Sequence, residues 1–182
     1  MPHLATRPGM EVTSSSFKLH ANVLEGPKAI SYLGKNSMPI STIIEDSFSR
    51  SIVLYRDLIE SIDASILDSR IPEVPSNTVG LQLWCVVGAQ ESFSNAIEAD
   101  EWREFSCSLQ SPTEQTQFAD ALRHSAEAVS DVLTTIEAYS DVQNRLIIDL
   151  LEDEAAYHDQ LIRYLYGLKL DIPDSWKSKY SL

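Results

Sequence analysis

Apolar residues recur at spacings of three and four through most of this chain, and that period limits the fold more than any other feature. Beyond Pro39 it runs through Ile40, Ile43, Ile44, Phe48, Ile52, Tyr55, Leu58, Ile59, Ile62, Ile66 and Leu67, the spacing that lines one face of an α-helix. Ser41 or Thr42 can cap its start and Arg70-Ile71-Pro72 ends it, so a first helix is predicted over about 40–68. A second starts at Asn77 or Thr78 and runs to about Ala99, although Cys85-Val86-Val87-Gly88 lowers its intrinsic propensity. Ser111-Pro112-Thr113-Glu114 opens a third, with Phe118, Ala121, Leu122, Ser125, Val129, Val132, Leu133 and Ile136 on one stripe, Ser111 as cap and Pro112 in the first turn. After a break at Tyr139-Ser140-Asp141, a fourth runs from Asp141 to about Leu168.

Four such segments with no strand signal predict an all-α chain, an antiparallel or crossover four-helix bundle. The connection over 100–112 carries Trp102 and Phe105 as expected anchors on the helices. With 182 residues and 43% hydrophobic content, one sizeable core is affordable and two ordinary domains are not expected. Residues 1–38 lack the helical period and hold Pro2, Pro8, Pro27, Gly9, Gly26, Gly34 and Ser14-Ser15-Ser16, the composition of an extended or partly disordered arm. The bundle is therefore assigned to 39–182.

Charge narrows the partners. The formal charge is −13, and the first 40 residues are net basic, so the whole acidic excess lies beyond them. That balance argues against binding to nucleic acid, which needs a basic patch. No run of about 18 apolar residues and no leader-like hydrophobic stretch occurs, so neither membrane insertion nor secretion is expected, and a cytoplasmic protein follows. Cys85 and Cys107 form no CxxC pair and are expected as reduced thiols.

The closing segment carries the most specific signal. Gln160-Leu161-Ile162-Arg163-Tyr164-Leu165-Tyr166-Gly167-Leu168 is followed by Ile172-Pro173-Asp174-Ser175-Trp176-Lys177. This resembles the end of DinB-like four-helix-bundle proteins, in which HExxHxGQLIRYLY precedes a P-x-SW-K tail. Leu83 to Phe93, with Trp102, Phe105 and Ser106-Cys107-Ser108-Leu109, is similar to the second helix and following loop of one branch of that family. The resemblance spans about 40–182 and implies a metal-dependent thiol transferase or related enzyme, often a homodimer. Family metal sites use three histidines, and alignment on the motif puts Cys85, Asp153 and Tyr157 at those positions. None is histidine, so the resemblance carries the scaffold and leaves a Zn, Ni or Mn ion open.

Independently of the resemblance, a helical projection of the fourth segment centred on Leu161 puts Glu154 within about 20° of the apolar centre, Tyr157 at about 40°, His158 at about 60° and Asp153 at about 80°. On the second segment, centred on Trp84, Glu91 also faces inward. Glu91, Glu154 and His158 form a second candidate ligand set, because buried charges survive mainly when paired or metal-bound. Arg50, Arg123, Arg145 or Arg163 can instead neutralise the carboxylates. Tyr157, His158 and Glu91 are the candidate acid–base groups, and Cys85 and Cys107 are candidate nucleophiles only with a lowered pKa. The tail with Ile172, Trp176, Tyr180 and Leu182 is expected to fold back over the helices or a dimer surface, with a ligand lid as the alternative. Two functions stay open: a small-molecule-binding bundle with an altered metal site, and a metal-dependent transferase acting on a thiol or small electrophile.

Overall fold

A computed structural model describes residues 40–110, 114–136 and 138–182. The arm read over 1–38 and the Ser111-Pro112 start of the third helix lie outside the described residues. Five α-helices and no strand are present among the described residues: α1 Ile40–Ser61, α2 Val79–Ala99, α3 Gln115–Thr135, α4 Asp141–Gly167 and α5 Asp174–Tyr180.

The first helix stops earlier than its apolar period. Asp63 accepts from the Ser65 backbone N–H at 2.9 Å and from the Ser65 hydroxyl at 2.7 Å, and the next five residues form a 3-10 turn, Ala64–Asp68. A short carboxylate that bonds the backbone two residues ahead competes with the helix ladder. Leu67 remains fully buried by this turn, so the apolar stripe outlasts the helix that the spacing suggested. Thr78 caps α2, accepting from the Leu81 N–H at 3.1 Å. Ser140 and Gln143 form a reciprocal capping box at the start of α4, satisfying two N–H groups left free by the first turn.

In the core, α2 packs against α3 and α4, while α1 packs against α3 and α5. The centre of the α2 stripe is Leu83, Val86, Gln90, Phe93 and Ile97, all buried. Trp84 lies at its edge, where its indole donates to the Leu109 carbonyl at 3.0 Å. The 100–110 connection returns along α2: Trp102 stacks on Phe93 and Phe105 on Trp84, with ring centroids 5.0 and 5.3 Å apart. Gly88 permits this approach, since a Cβ there would overlap the Phe105 ring.

The tail is more ordered than its length suggests. Helix α5 has only 7 residues, too few to be stable alone, and Trp176 attaches it to the core. That indole is 0% exposed and donates to the Leu54 carbonyl of α1 at 2.8 Å. The expectation that the aromatic tail folds back over the helices is met by this contact. Replacing Trp176 with Ala should destabilise the protein by about 3–5 kcal/mol, measured by urea unfolding; a loss below about 1 kcal/mol would mean that α5 docking contributes little.

Candidate functional site

The apolar core divides into two clusters, one containing Leu54, Tyr55, Leu83, Val87, Leu122, Leu161 and Trp176, the other Phe48, Phe93, Ile97, Val129, Ile147 and Leu150. Polar side chains fill the level between them. On α4, Glu154 and His158 fall between Leu150 and Leu161, and each is only 2% exposed. From α2 the Gln90 amide donates to Glu154 Oε1 at 2.8 Å, and from α3 the Ser125 hydroxyl donates to Gln90 Oε1 at 2.6 Å. Opposite them, Tyr180 of α5 bonds His158 Nδ1 at 2.6 Å, and the His158 ring stacks on Tyr55 and edge-on to Trp176.

Three atoms at this level stay unsatisfied. Glu154 Oε2, His158 Nε2 and Tyr55 Oη are buried and have no hydrogen-bond partner. Oε2 and Nε2 face each other at 4.0 Å, too far for a hydrogen bond. The Tyr55 hydroxyl lies close enough to the carboxyl to act on Glu154 as a long, weak hydrogen-bond partner, without reaching full hydrogen-bond geometry.

Burial sets the protonation of the pair. It pushes Glu154 up to about 7, against the opposing pull of the Gln90 amide and the Tyr55 and Ser51 hydroxyls. It pulls His158 down to about 4, helped by the nearby Lys179 ammonium. Low dielectric disfavours both charged forms, so between about pH 4 and 7 the neutral pair prevails over an ion pair. With Tyr180 donating to Nδ1, the assigned imidazole proton sits on Nε2. Because Oε1 accepts from Gln90, a proton on the carboxyl belongs on Oε2. Two donors and a hydroxyl therefore lie unpaired at one level of the core.

The sequence candidates separate into three places. Glu154 and His158 meet, as the helix projection suggested, but Glu91 does not join them. It accepts from the Ser108 N–H at 2.7 Å and the Ser108 hydroxyl at 2.5 Å and fastens the connection to α2. The projection centred on Trp84 was rotated by one residue from the true centre at Leu83, which moved Glu91 inward in place of Gln90. Cys85, Asp153 and Tyr157 are half-buried neighbours on another side, where Tyr157 is raised first by burial, then by Asp153, Cys85 and Glu154.

Burial likewise raises the thiols, Cys107 to about 11, opposite to what an activated nucleophile needs. A metal would require Cys85 and Tyr157 to give up protons that their surroundings hold, so this donor set fits a cation poorly. Among the described residues no three His, Cys, Asp or Glu side chains are grouped to hold a metal ion. None of the four arginines expected as carboxylate partners reaches Glu154; Arg50, Arg123 and Arg163 instead pair with carboxylates on their own helices. His124 is exposed beside Arg123.

Gln90, Ser125, Tyr55 and Tyr180 also belong to the site, and the candidate residues from the sequence do not include them. Tyr55 and Ser125 were visible as polar atoms inside apolar stripes; Gln90 carried the same signal once α2 is centred on Leu83. Nothing in the sequence paired Tyr180 with His158. No family model, curated protein or solved structure matches the chain.

The neutral pair has a measurable signature. Between about pH 4.5 and 6.5 the unfolded chain carries Glu154 ionised and His158 protonated, whereas the folded one carries the same single proton on Glu154. Their contributions to pH dependence cancel. Glu154→Gln leaves a histidine whose folded pKa is depressed, so relative to wild type its stability should rise with pH from about 4 to 6.5. His158→Gln leaves a carboxyl whose folded pKa is raised, so its relative stability should fall from about pH 4.5 to 7. The slopes should approach 1.4 kcal/mol per pH unit, about one proton each. Urea midpoints across this window that show the same sign for both variants would exclude the neutral pair.

Proposed function

We propose that the chain is a DinB-like four-helix bundle that works without a bound metal and takes a small carbonyl or carboxyl compound at the Tyr55–Glu154–His158 level. The observation that carries this reading is the set of three buried polar atoms, Tyr55 Oη, Glu154 Oε2 and His158 Nε2, left without partners. Each such atom costs about 1–3 kcal/mol, and an acceptor oxygen between them would satisfy all three. Gln90 and Ser125 hold the Glu154 carboxyl in place, and Tyr180 anchors the His158 ring at Nδ1. Trp176 and Tyr180 lie against His158 and cover this level from the α5 side. The all-helical order of α1 to α4 and the docked Trp176 support the DinB-like scaffold, and a homodimer is part of the same proposal.

A second reading keeps the metal. Asp153 and Cys85 both stand near enough to Tyr157 to raise it, so the positions that match the family ligands are adjacent, as a metal-dependent thiol transferase would need. Thermal shifts separate the two. The first reading expects stabilisation by acetate or acetamide in large excess and none by Zn, Ni or Mn ions. It also expects Tyr55→Phe to stabilise the free protein by about 1 kcal/mol, by removing an unsatisfied hydroxyl, while weakening the acetamide response. Metal stabilisation that disappears in Asp153→Ala would establish the second reading, and a destabilised Tyr55→Phe with an unchanged acetamide response would refute the first.

A further inference from the structure

A separate cleft of about 510 Å³ opens between α1 and α5, with Val53 and Leu54 as apolar wall, Arg50 and Lys179 at its edge, and Ser49, Ser175 and Ser178 between them. Two cations at one cleft stand out on a chain of net charge −13. Most basic side chains here are tied to a carboxylate, including Lys177 to Asp174 on the same short helix. Lys179 has no such partner among the described residues, and it lies near enough to His158 to disfavour the imidazolium. Arg50 shares one guanidinium nitrogen with Asp46, which leaves its other donors available and makes Lys179 the main uncompensated charge. The hydroxyl of Ser175 is buried and makes no hydrogen bond. The floor is fixed, because the Leu54 carbonyl holds the Trp176 indole at 2.8 Å.

We infer that this cleft binds a small organic anion, a carboxylate or phosphate monoester carried on a short apolar group. The anionic head would lie between Lys179 and Arg50, where charge-assisted hydrogen bonds are strong, with the exposed Ser49 and Ser178 hydroxyls as further donors. The apolar group would lie on Val53 and Leu54, and neither feature alone would hold the ligand as well as both together. The site is distinct from the buried Glu154 level, since none of Tyr55, Glu154 and His158 lines it.

Calorimetry on the full chain with hexanoate and hexyl phosphate tests this, with inorganic phosphate and hexanol as probes that carry only one of the two features. Both amphiphilic anions should bind, each single-feature probe about tenfold more weakly or worse. Lys179→Gln should weaken hexanoate about tenfold and Arg50→Gln by less, with thermal unfolding unchanged because the Arg50 side chain is 50% exposed and Lys179 is exposed. Tyr55→Phe should leave hexanoate affinity unaltered, which keeps this outcome independent of the buried site. No heat with either anion, equal binding of hexanol and hexanoate, or unaltered affinity in Lys179→Gln would each overturn the inference.

Discussion

The Gln90 amide holds Glu154 in the middle of a core that otherwise excludes charge, and the arrangement around it follows from that placement. An ionised carboxyl at 2% exposure would forfeit hydration worth several kcal/mol, and one amide hydrogen bond offsets only part of that. Protonation is the cheaper solution, and burial shifts Glu154 toward it. His158 meets the same condition from the other side and gives up its proton. The two residues thus avoid charge separation without forming a salt bridge.

This polar level also organises the packing. Helices α1 to α4 each supply an apolar stretch above it and another below it, and each places a polar or aromatic hydroxyl-bearing residue at the boundary: Tyr55, Gln90, Ser125, Glu154. The hydrogen bonds from Ser125 to Gln90 and from Gln90 to Glu154 fix the relative register of α2, α3 and α4, since sliding any one by a turn would leave a buried polar group unpaired. Helix α5 completes the set through Tyr180 and Trp176. A seven-residue helix, which water would melt, is held in place by one indole and one phenol.

The surface follows different rules. Ion pairs such as Arg163–Asp159 and Arg123–Glu127 join residues one turn apart on one helix and are more than half exposed, so each contributes at most a few tenths of a kcal/mol. They do not fix the fold. Lys179 makes no such pair among the described residues.

Much of the helical order was legible because it rests on local physics. The period of three and four, the helix starts beside Thr78 and at Asp141 and the inward position of Glu154 follow from the geometry of a single helix, and each is found. The end of α1 was misread because Asp63 ends the helix while Ile66 and Leu67 continue the stripe. Glu91 was misplaced because projection needs a reference, and Trp84, large and apolar, is an edge residue that spends its indole on the Leu109 carbonyl. What the sequence determined by itself was that α4 carries a carboxyl and an imidazole one turn apart within an apolar face. Only tertiary packing decided that they stay neutral, that Gln90 rather than Glu91 meets the carboxyl, and that Tyr180 from the far end of the chain meets the imidazole. Burial and partner identity are properties of several helices at once, and no single helix encodes them.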